Sequence, residues 1–363
     1  MDTIKKVKFT GHNDSAFNRD LKKRLDNYFT QQNQNQFADR RMWFKVIFWI
    51  AMWIATWLFV MFSGMPSWVL FIVAVAHLYT HLFIAFNIAH DANHDAISKN
   101  KKVNRLLSIS LDLCGVNSHL WRYSHNTAHH SYVNIEGADT SSQGHGIIRF
   151  TTNAEWKPLY KYQHLYAPFL YAVATLNYVF TKDFLIFIHL RKNQHGMKPT
   201  TGEWLFLIAT KLFYYTYTLI LPTILLPQYS FLTIFGVFVL GHALMGITLA
   251  FTFQTGHLIE ETSFPPFNAE GNIDKNWAIH IVESTVDFAR TNPMVAWFLG
   301  AINVHVIHHL YPRICHTHYA DIAPIVQQTA EEHGLKYRTF PSFSSAICSH
   351  FKLLKQLGQK PIN

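Results

Sequence analysis

Four stretches of this chain are too long and too apolar to belong to a water-soluble core. Trp43 to Phe62, Trp68 to Ala89, Trp204 to Leu226 and Phe231 to Phe253 each run for about 20 residues with almost no charge. At about 1.5 Å per residue, such a helix crosses a hydrocarbon layer of about 30 Å. A helix also satisfies its own backbone N–H and C=O groups where no water is present to do so. Ser63-Gly64-Met65-Pro66-Ser67 separates the first two runs, and Pro227-Gln228-Tyr229-Ser230 the last two. The expected fold class is all-α: a polytopic membrane protein with four transmembrane helices in two hairpins and a helical cytoplasmic cap.

Charge orients this arrangement. Nine Lys or Arg precede Trp43, whereas the two hairpin turns carry none. The positive-inside bias places both termini and the long middle segment in the cytoplasm. The formal charge of +9 is read the same way, and no nucleic-acid partner is expected. Three scattered cysteines without a C-x2-C pair make a thiolate metal site or a disulfide framework a poor expectation. No signal peptide is visible at the polar, basic N-terminus. Three regions follow: an arm over residues 1–42 with an amphipathic helix around Ala16 to Phe29, a membrane domain over 43–319, and a cytoplasmic segment over 320–363. The last is helically patterned from Ile322 to Glu332. His164 to Phe187 is apolar but broken by Pro168, Lys182 and Asp183, and is expected to form interfacial helices.

Three histidine clusters fall on the cytoplasmic side of this topology. They are His90-Asp91-Ala92-Asn93-His94, then His125-Asn126-Thr127-Ala128-His129-His130, then His305-Val306-Ile307-His308-His309. Positions i, i+3 and i+4 share a helix face, so each cluster can aim two or more ring nitrogens at one point. Counted from Trp68, His90 and His94 lie about 33 and 39 Å along the second span, at the inner interface. Counted from Phe231, His257 reaches about 39 Å along the fourth. Eight clustered imidazoles are too many for one ion and imply two. A lone H-x3-H pair arises about once by chance in a chain this rich in histidine. His77 and His81 form such a pair, and they and His242 are read as histidines hydrogen-bonded between helices. His119, His145, His164, His195, His316 and His318 are read as solvated loop residues. Asp91, Asn126, Asp139, Glu260 and Glu261 are candidates to hold the far nitrogens of metal-bound imidazoles.

Imidazole suits several metals, so ligand type does not choose among them. A hydrolytic zinc site would want a carboxylate base, and no His-Glu dipeptide occurs. A transporter would place its histidines at the midplane of the spans. Two redox metals at the mouth of an apolar bundle fit dioxygen chemistry on an apolar substrate in the bilayer.

The clusters, in this order, resemble the histidine boxes of the integral-membrane fatty acid desaturases, from about Ala89 to the C-terminus. Leu120-Trp121-Arg122-Tyr123-Ser124-His125-Asn126, Asp287-Phe288-Ala289-Arg290-Thr291-Asn292-Pro293 and His308-His309-Leu310-Tyr311-Pro312 with Ile314-Cys315-His316 are similar to front-end, linoleoyl-CoA-type members. The resemblance implies two Fe ions, O2 as co-substrate and a cis double bond introduced into a long-chain acyl group. It implies iron ligands at His90, His94, His125, His129, His130, His305, His308 and His309, with His257 matching the family's histidine near the end of the fourth span. Many front-end members open the third box with glutamine, where this chain has His305. Many also carry a fused cytochrome b5 domain with His-Pro-Gly-Gly; no such motif occurs here. Electrons are then expected from an external donor, ferredoxin or cytochrome b5 with its reductase, docking on basic residues such as Arg122 and Arg313. The readings kept beside this one are a hydroxylase or epoxidase of the same superfamily, and a non-catalytic membrane metal carrier or sensor.

Overall fold

Asp39 starts the first span. Its side chain accepts the Met42 amide at 2.9 Å, so the helix begins at Arg40, ahead of the apolar run, and continues to Phe62. Thr200 and Glu203 form a capping box that likewise advances the third span to Thr201. In this computed structural model, which describes residues 7–11, 16–139, 144, 146–192 and 199–361, four helices are long and apolar enough to cross a membrane. They are Arg40–Phe62, Ser67–Asn93, Thr201–Leu225 and Phe231–His257; a fifth would be counted if the helix pair broken at Val173 were one span. Two of the four contain a π-helical turn. Thr216–Ile220 widens the third span just before Pro222, where the proline ring would crowd an α-helical carbonyl. Ala85–Ala89 widens the second immediately before His90, and π turns of this kind gather at functional sites. The chain is all-α; among the described residues the extended pairings are one two-stranded sheet, Asp287–Phe288 parallel to Thr339–Phe340, and an isolated parallel bridge between Phe9 and Ile273.

Two compact units are distinguished. The first comprises Asp39–Arg122 and Phe169–Ala250, the second Asp2–Ala38, Tyr123–Pro168 and Phe251–Asn363. In the first unit, large apolar side chains such as Ile47, Trp68 and Leu232 are exposed, a cost in water that lipid removes. Its interior is polar at a few points, and three of its histidines hydrogen-bond neighbouring helices through at least one ring nitrogen. His81 Nε2 accepts from Trp53 Nε1 at 3.0 Å and meets the Tyr217 hydroxyl at 2.8 Å. His77 Nδ1 lies 3.0 Å from Thr56 Oγ1, and His242 bonds Tyr214 and Thr175. These three histidines are interhelical, as the sequence reading has them.

The second unit has an aqueous-type core. The helix Ala16–Gln31 buries Phe17, Leu21 and Leu25 against Ile322, Ala323 and Val326 of the helix Tyr319–Glu332. Each such side chain contributes about 1.5–3 kcal/mol on burial. The same cluster includes Ile307 and Leu310, so this core also fixes the short helix His305–Leu310. The arm and the C-terminal segment thus support the third histidine cluster directly.

Candidate metal centre

The second cluster sits on backbone that an α-helical reading does not anticipate. Tyr123–His129 is π-helical and passes at His130 into one α-turn. With i→i+5 bonding, residues four and five apart straddle one face. This explains why His125 can meet both later histidines: its Nε2 is 3.1 Å from that of His130, and its ring centroid is 5.3 Å from that of His129. The third cluster is held at its N-terminus by Asp287. One carboxylate oxygen accepts the Val306 amide at 3.0 Å, and the other accepts the Tyr337 hydroxyl at 2.6 Å. Burial pushes the Asp287 carboxyl up to about 6 despite these bonds. His257 ends the fourth span, inside the second unit.

Within that unit, one ring nitrogen from each of His129, His257, His305 and His309 lies within 4.8 Å of the others, all buried, and His130, His308 and His309 make a second such group. The hydrogen bonds of the far nitrogens settle what faces inward. His305 Nδ1 is 2.9 Å from the Ile302 carbonyl and His257 Nδ1 is 3.3 Å from that of Ser284. A carbonyl only accepts, so each Nδ1 donates and each Nε2 is left as a lone pair. Those two Nε2 atoms are 2.6 Å apart. Two facing lone pairs at that distance repel unless a cation lies against both. Neither ring nitrogen of His309 has a hydrogen-bond partner among the described residues, and burial among imidazoles holds its pKa well below the usual histidine range. A neutral, wholly buried, unpartnered imidazole beside such a pair is what a metal ligand looks like before its ion is counted. The donor set, all imidazole, fits iron among other first-row metals.

The support around these rings is local. Asp139 accepts from His129 Nδ1 at 3.1 Å through one oxygen and from the Asn134 amide at 3.0 Å through the other. Asn134 adopts φ of 56°, tolerated by asparagine, and donates its side-chain amide to the His257 carbonyl at 2.9 Å. His280 donates to the Val133 carbonyl at 2.8 Å, and His350 to the Leu258 carbonyl at 2.6 Å. Burial pushes both imidazoles down to about 4, so they act as neutral donors. Asp139→Asn leaves one acceptor for two donors. It should weaken metal retention about 10–100-fold, measured as metal content after graded chelator washes; unchanged retention would remove Asp139 from this role.

In the first unit, His90 and His94 face each other with ring centroids 4.9 Å apart, and Trp121 packs against both. Asp91 is buried, with Oδ1 3.8 Å from His90 Nδ1, too far for a hydrogen bond. Asn126 is half-buried on the π-helical stretch. Two groups of expectations are corrected. Glu260 bonds Ser349 and Gln356, and Glu261 pairs with Lys336 and Arg338: surface partnerships, not imidazole supports. His316 and His318 are buried, the latter donating to the Phe37 carbonyl at 2.9 Å. His119 is half-buried beside Glu203 at 3.2 Å, and His164 is half-buried. His145 and His195 lie outside the described residues. Arg313 is exposed; Arg122 is half-buried, 3.9 Å from Asp95. Asn134, His280, His350 and the capping role of Asp287 were not anticipated from sequence, since their partners are main-chain groups remote in the chain.

The comparisons agree with this centre. A family model described as fatty acid desaturase matches residues 66–341. The sn-1 linoleoyl-lipid 6-desaturase of Synechocystis sp. is 32% identical over 364 residues, 99% of each chain. The protein of the same name from Arthrospira platensis is 31% identical over 352 residues, 95% of this chain and 94% of its own. The acyl-lipid (8-3)-desaturase of Mortierella alpina is 29% identical over 355 residues, 96% of this chain and 79% of its own. With four membrane-crossing helices and a buried imidazole cluster built to hold metal, the chain belongs to the fatty acid desaturase family, an integral membrane oxidoreductase acting on fatty acyl lipids.

Proposed function

We propose that the enzyme is a di-iron, O2-dependent desaturase that introduces a cis double bond into a long-chain acyl group. The observation carrying this reading is the pair of opposed Nε2 lone pairs on His257 and His305, with the unpartnered His309 beside them. His129, His257, His305 and His309 would hold one iron. His125, His130 and His308 would serve the second, together with His90 and His94, which are assigned by the family's histidine pattern. When bound, iron would supply the redox chemistry: O2 and two electrons remove two hydrogens from adjacent methylenes, and water is the other product. The chain's own residues fix the imidazole tautomers through the Ser284, Ile302 and Asp139 oxygens, and they keep the centre dry.

The activity named for two near-full-length relatives makes a linoleoyl chain on a lipid, desaturated at carbon 6, the first substrate to test. The charge asymmetry of the sequence supports both termini and the metal centre facing the cytoplasm. The electron donor would be ferredoxin or cytochrome b5 with its reductase, approaching the basic residues Arg122 and Arg313.

Expression in a host that makes linoleoyl lipids but desaturates them no further tests the proposed reaction and its regiochemistry. Wild type should yield a product two hydrogens lighter, with the new bond at carbon 6. His129→Ala and His309→Ala should yield none, and Arg122→Gln with Arg313→Gln should lower the yield when donor is limiting. A product one oxygen heavier would point to a hydroxylase or epoxidase. Zinc in the purified protein with unaltered host lipids would leave a metal carrier.

A further inference from the structure

A cavity in the first unit is lined by residues that the metal centre does not use. It opens among the spans near their two hairpin turns and holds about 280 Å³, close to the smaller end of the range for small-molecule pockets, about 300–1,000 Å³. Trp57, Met61, Leu70, Leu78 and Phe238 form its apolar walls, and no charged side chain lines it. Its polar lining side chains find partners within the protein. Trp57 Nε1 donates to the Tyr217 carbonyl at 2.9 Å, and the Tyr217 hydroxyl donates to the Leu113 carbonyl at the same distance. Thr218 Oγ1 donates to the Tyr214 carbonyl at 2.6 Å. Tyr229 bonds Ser67 at 2.6 Å, and Thr233 bonds Ser230 at 2.9 Å.

His77 is the exception. It lines the cavity, is 6% exposed, and its Nε2 is buried with no partner among the described residues. The tautomer follows from Thr56. That hydroxyl donates to the Met52 carbonyl at 2.7 Å, so towards His77 it can only accept, and Nδ1 carries the proton in the 3.0 Å bond between them. Nε2 is therefore a lone-pair acceptor awaiting a donor. The rest of the lining is uncharged and mostly apolar, so a molecule that is apolar except for a single O–H can supply that donor.

We propose that this cavity binds an uncharged long-chain lipid through a hydroxyl group donated to His77 Nε2. The site would be independent of acyl turnover at the metal centre.

A test uses full-length protein in nanodiscs and two probes: dodecan-1-ol carrying a mid-chain diazirine, and its O-methyl ether. After photolysis, peptide mass spectrometry locates adducts. The alcohol should label the segments Trp57 to Met61 and Leu70 to Leu78, compete with unlabelled dodecan-1-ol, and half-saturate at about tenfold lower concentration than the ether, the effect of one hydrogen bond of this kind. His77→Phe should bring the two probes together. Ala74→Phe, which fills the cavity and leaves the His77 imidazole in the chain, should remove labelling by both and serves alone if His77→Phe does not fold. Equal labelling by alcohol and ether, an alcohol preference that survives His77→Phe, or adducts only outside the cavity would each overturn the proposal, leaving bulk lipid or water as the occupant.

Discussion

Gly256→Ala is expected to empty the metal centre while leaving the fold standing. Gly256 lies one residue before His257 in the last turn of the fourth span. Alanine in a helix is favoured over glycine by about 1 kcal/mol, so the helix itself should tolerate or welcome the change. A Cβ there, however, would sit 2.5 Å from His305 Cδ2 and 2.8 Å from its Cγ and Nε2. The His305 ring has little room to retreat. Its Nδ1 is held by the Ile302 carbonyl, and its face is closed by His257 and His309, with centroids 4.3 and 4.7 Å away. Something on the order of an ångström must give, and a displacement of that size at a reacting centre costs about 100-fold in rate. The expected result is iron content below about half that of wild type and desaturation lowered about 100-fold. The thermal midpoint of the metal-free protein should fall only modestly, because overpacking of about 1–3 kcal/mol is partly offset by the helix preference for alanine. Full metal content with full activity would mean that the ring moves freely, and the tight packing inferred for this centre would be wrong.

The spans were legible because hydrophobic length is a one-dimensional property of the chain. Their ends were less so. Asp39 and Thr200 act through side-chain caps that begin the helix before the apolar run does, and the second and fourth spans continue to Asn93 and His257 because the helix does not stop where the hydrocarbon would. The amphipathic helix expected at Ala16 to Phe29 runs Ala16–Gln31. The histidine clusters were visible as spacing, but the π-helical stretch Tyr123–His129 was not, since a periodicity argument assumes the α-helical turn. Supports were legible only when they were carboxylates near a box, as with Asp139. Ser284 and Ile302 act through carbonyls, which any residue would supply. Buried His316 and His318 were misread for a related reason: loop position says nothing of what folds over a loop, and here His318 donates to Phe37 of the N-terminal arm. Glu260 and Glu261 had the right chemistry and the wrong neighbours, since cations and polar groups of the C-terminal segment reach them first.

The largest loss of stability is expected from Lys211→Met in the third span. Lys211 and Asp183 are 3% and 1% exposed, with Nζ 2.8 Å from Oδ2. The ammonium also donates to the Gly115 carbonyl at 2.6 Å and the Tyr178 carbonyl at 2.9 Å, while Asp183 accepts the Asn117 amide at 2.8 Å. Asp112 completes the arrangement, accepting from the Asn117 side chain and the Ser118 amide, each at 3.1 Å. Burial pushes the Asp112 carboxyl up to about 7, and a carboxyl supplies no positive charge to replace the ammonium. This network pins residues 115–118, which lead directly into the helix Ser118–Arg122 and the second histidine cluster. Removing the ammonium leaves a buried carboxylate without its counter-ion and two carbonyls without a donor. Breaking one partner of a buried pair costs about 3–5 kcal/mol, against which a buried methionine side chain returns part. Lys211→Met should therefore lower the folded yield and the thermal midpoint sharply in detergent. Adding Asp183→Asn should restore a measurable part of the loss, because the stranded charge is then gone. The double-mutant cycle reads the coupling directly: an interaction energy near zero, or a Lys211→Met protein within about 1 kcal/mol of wild type, would show that the pair is solvated and that the loop before the second cluster is held by something else.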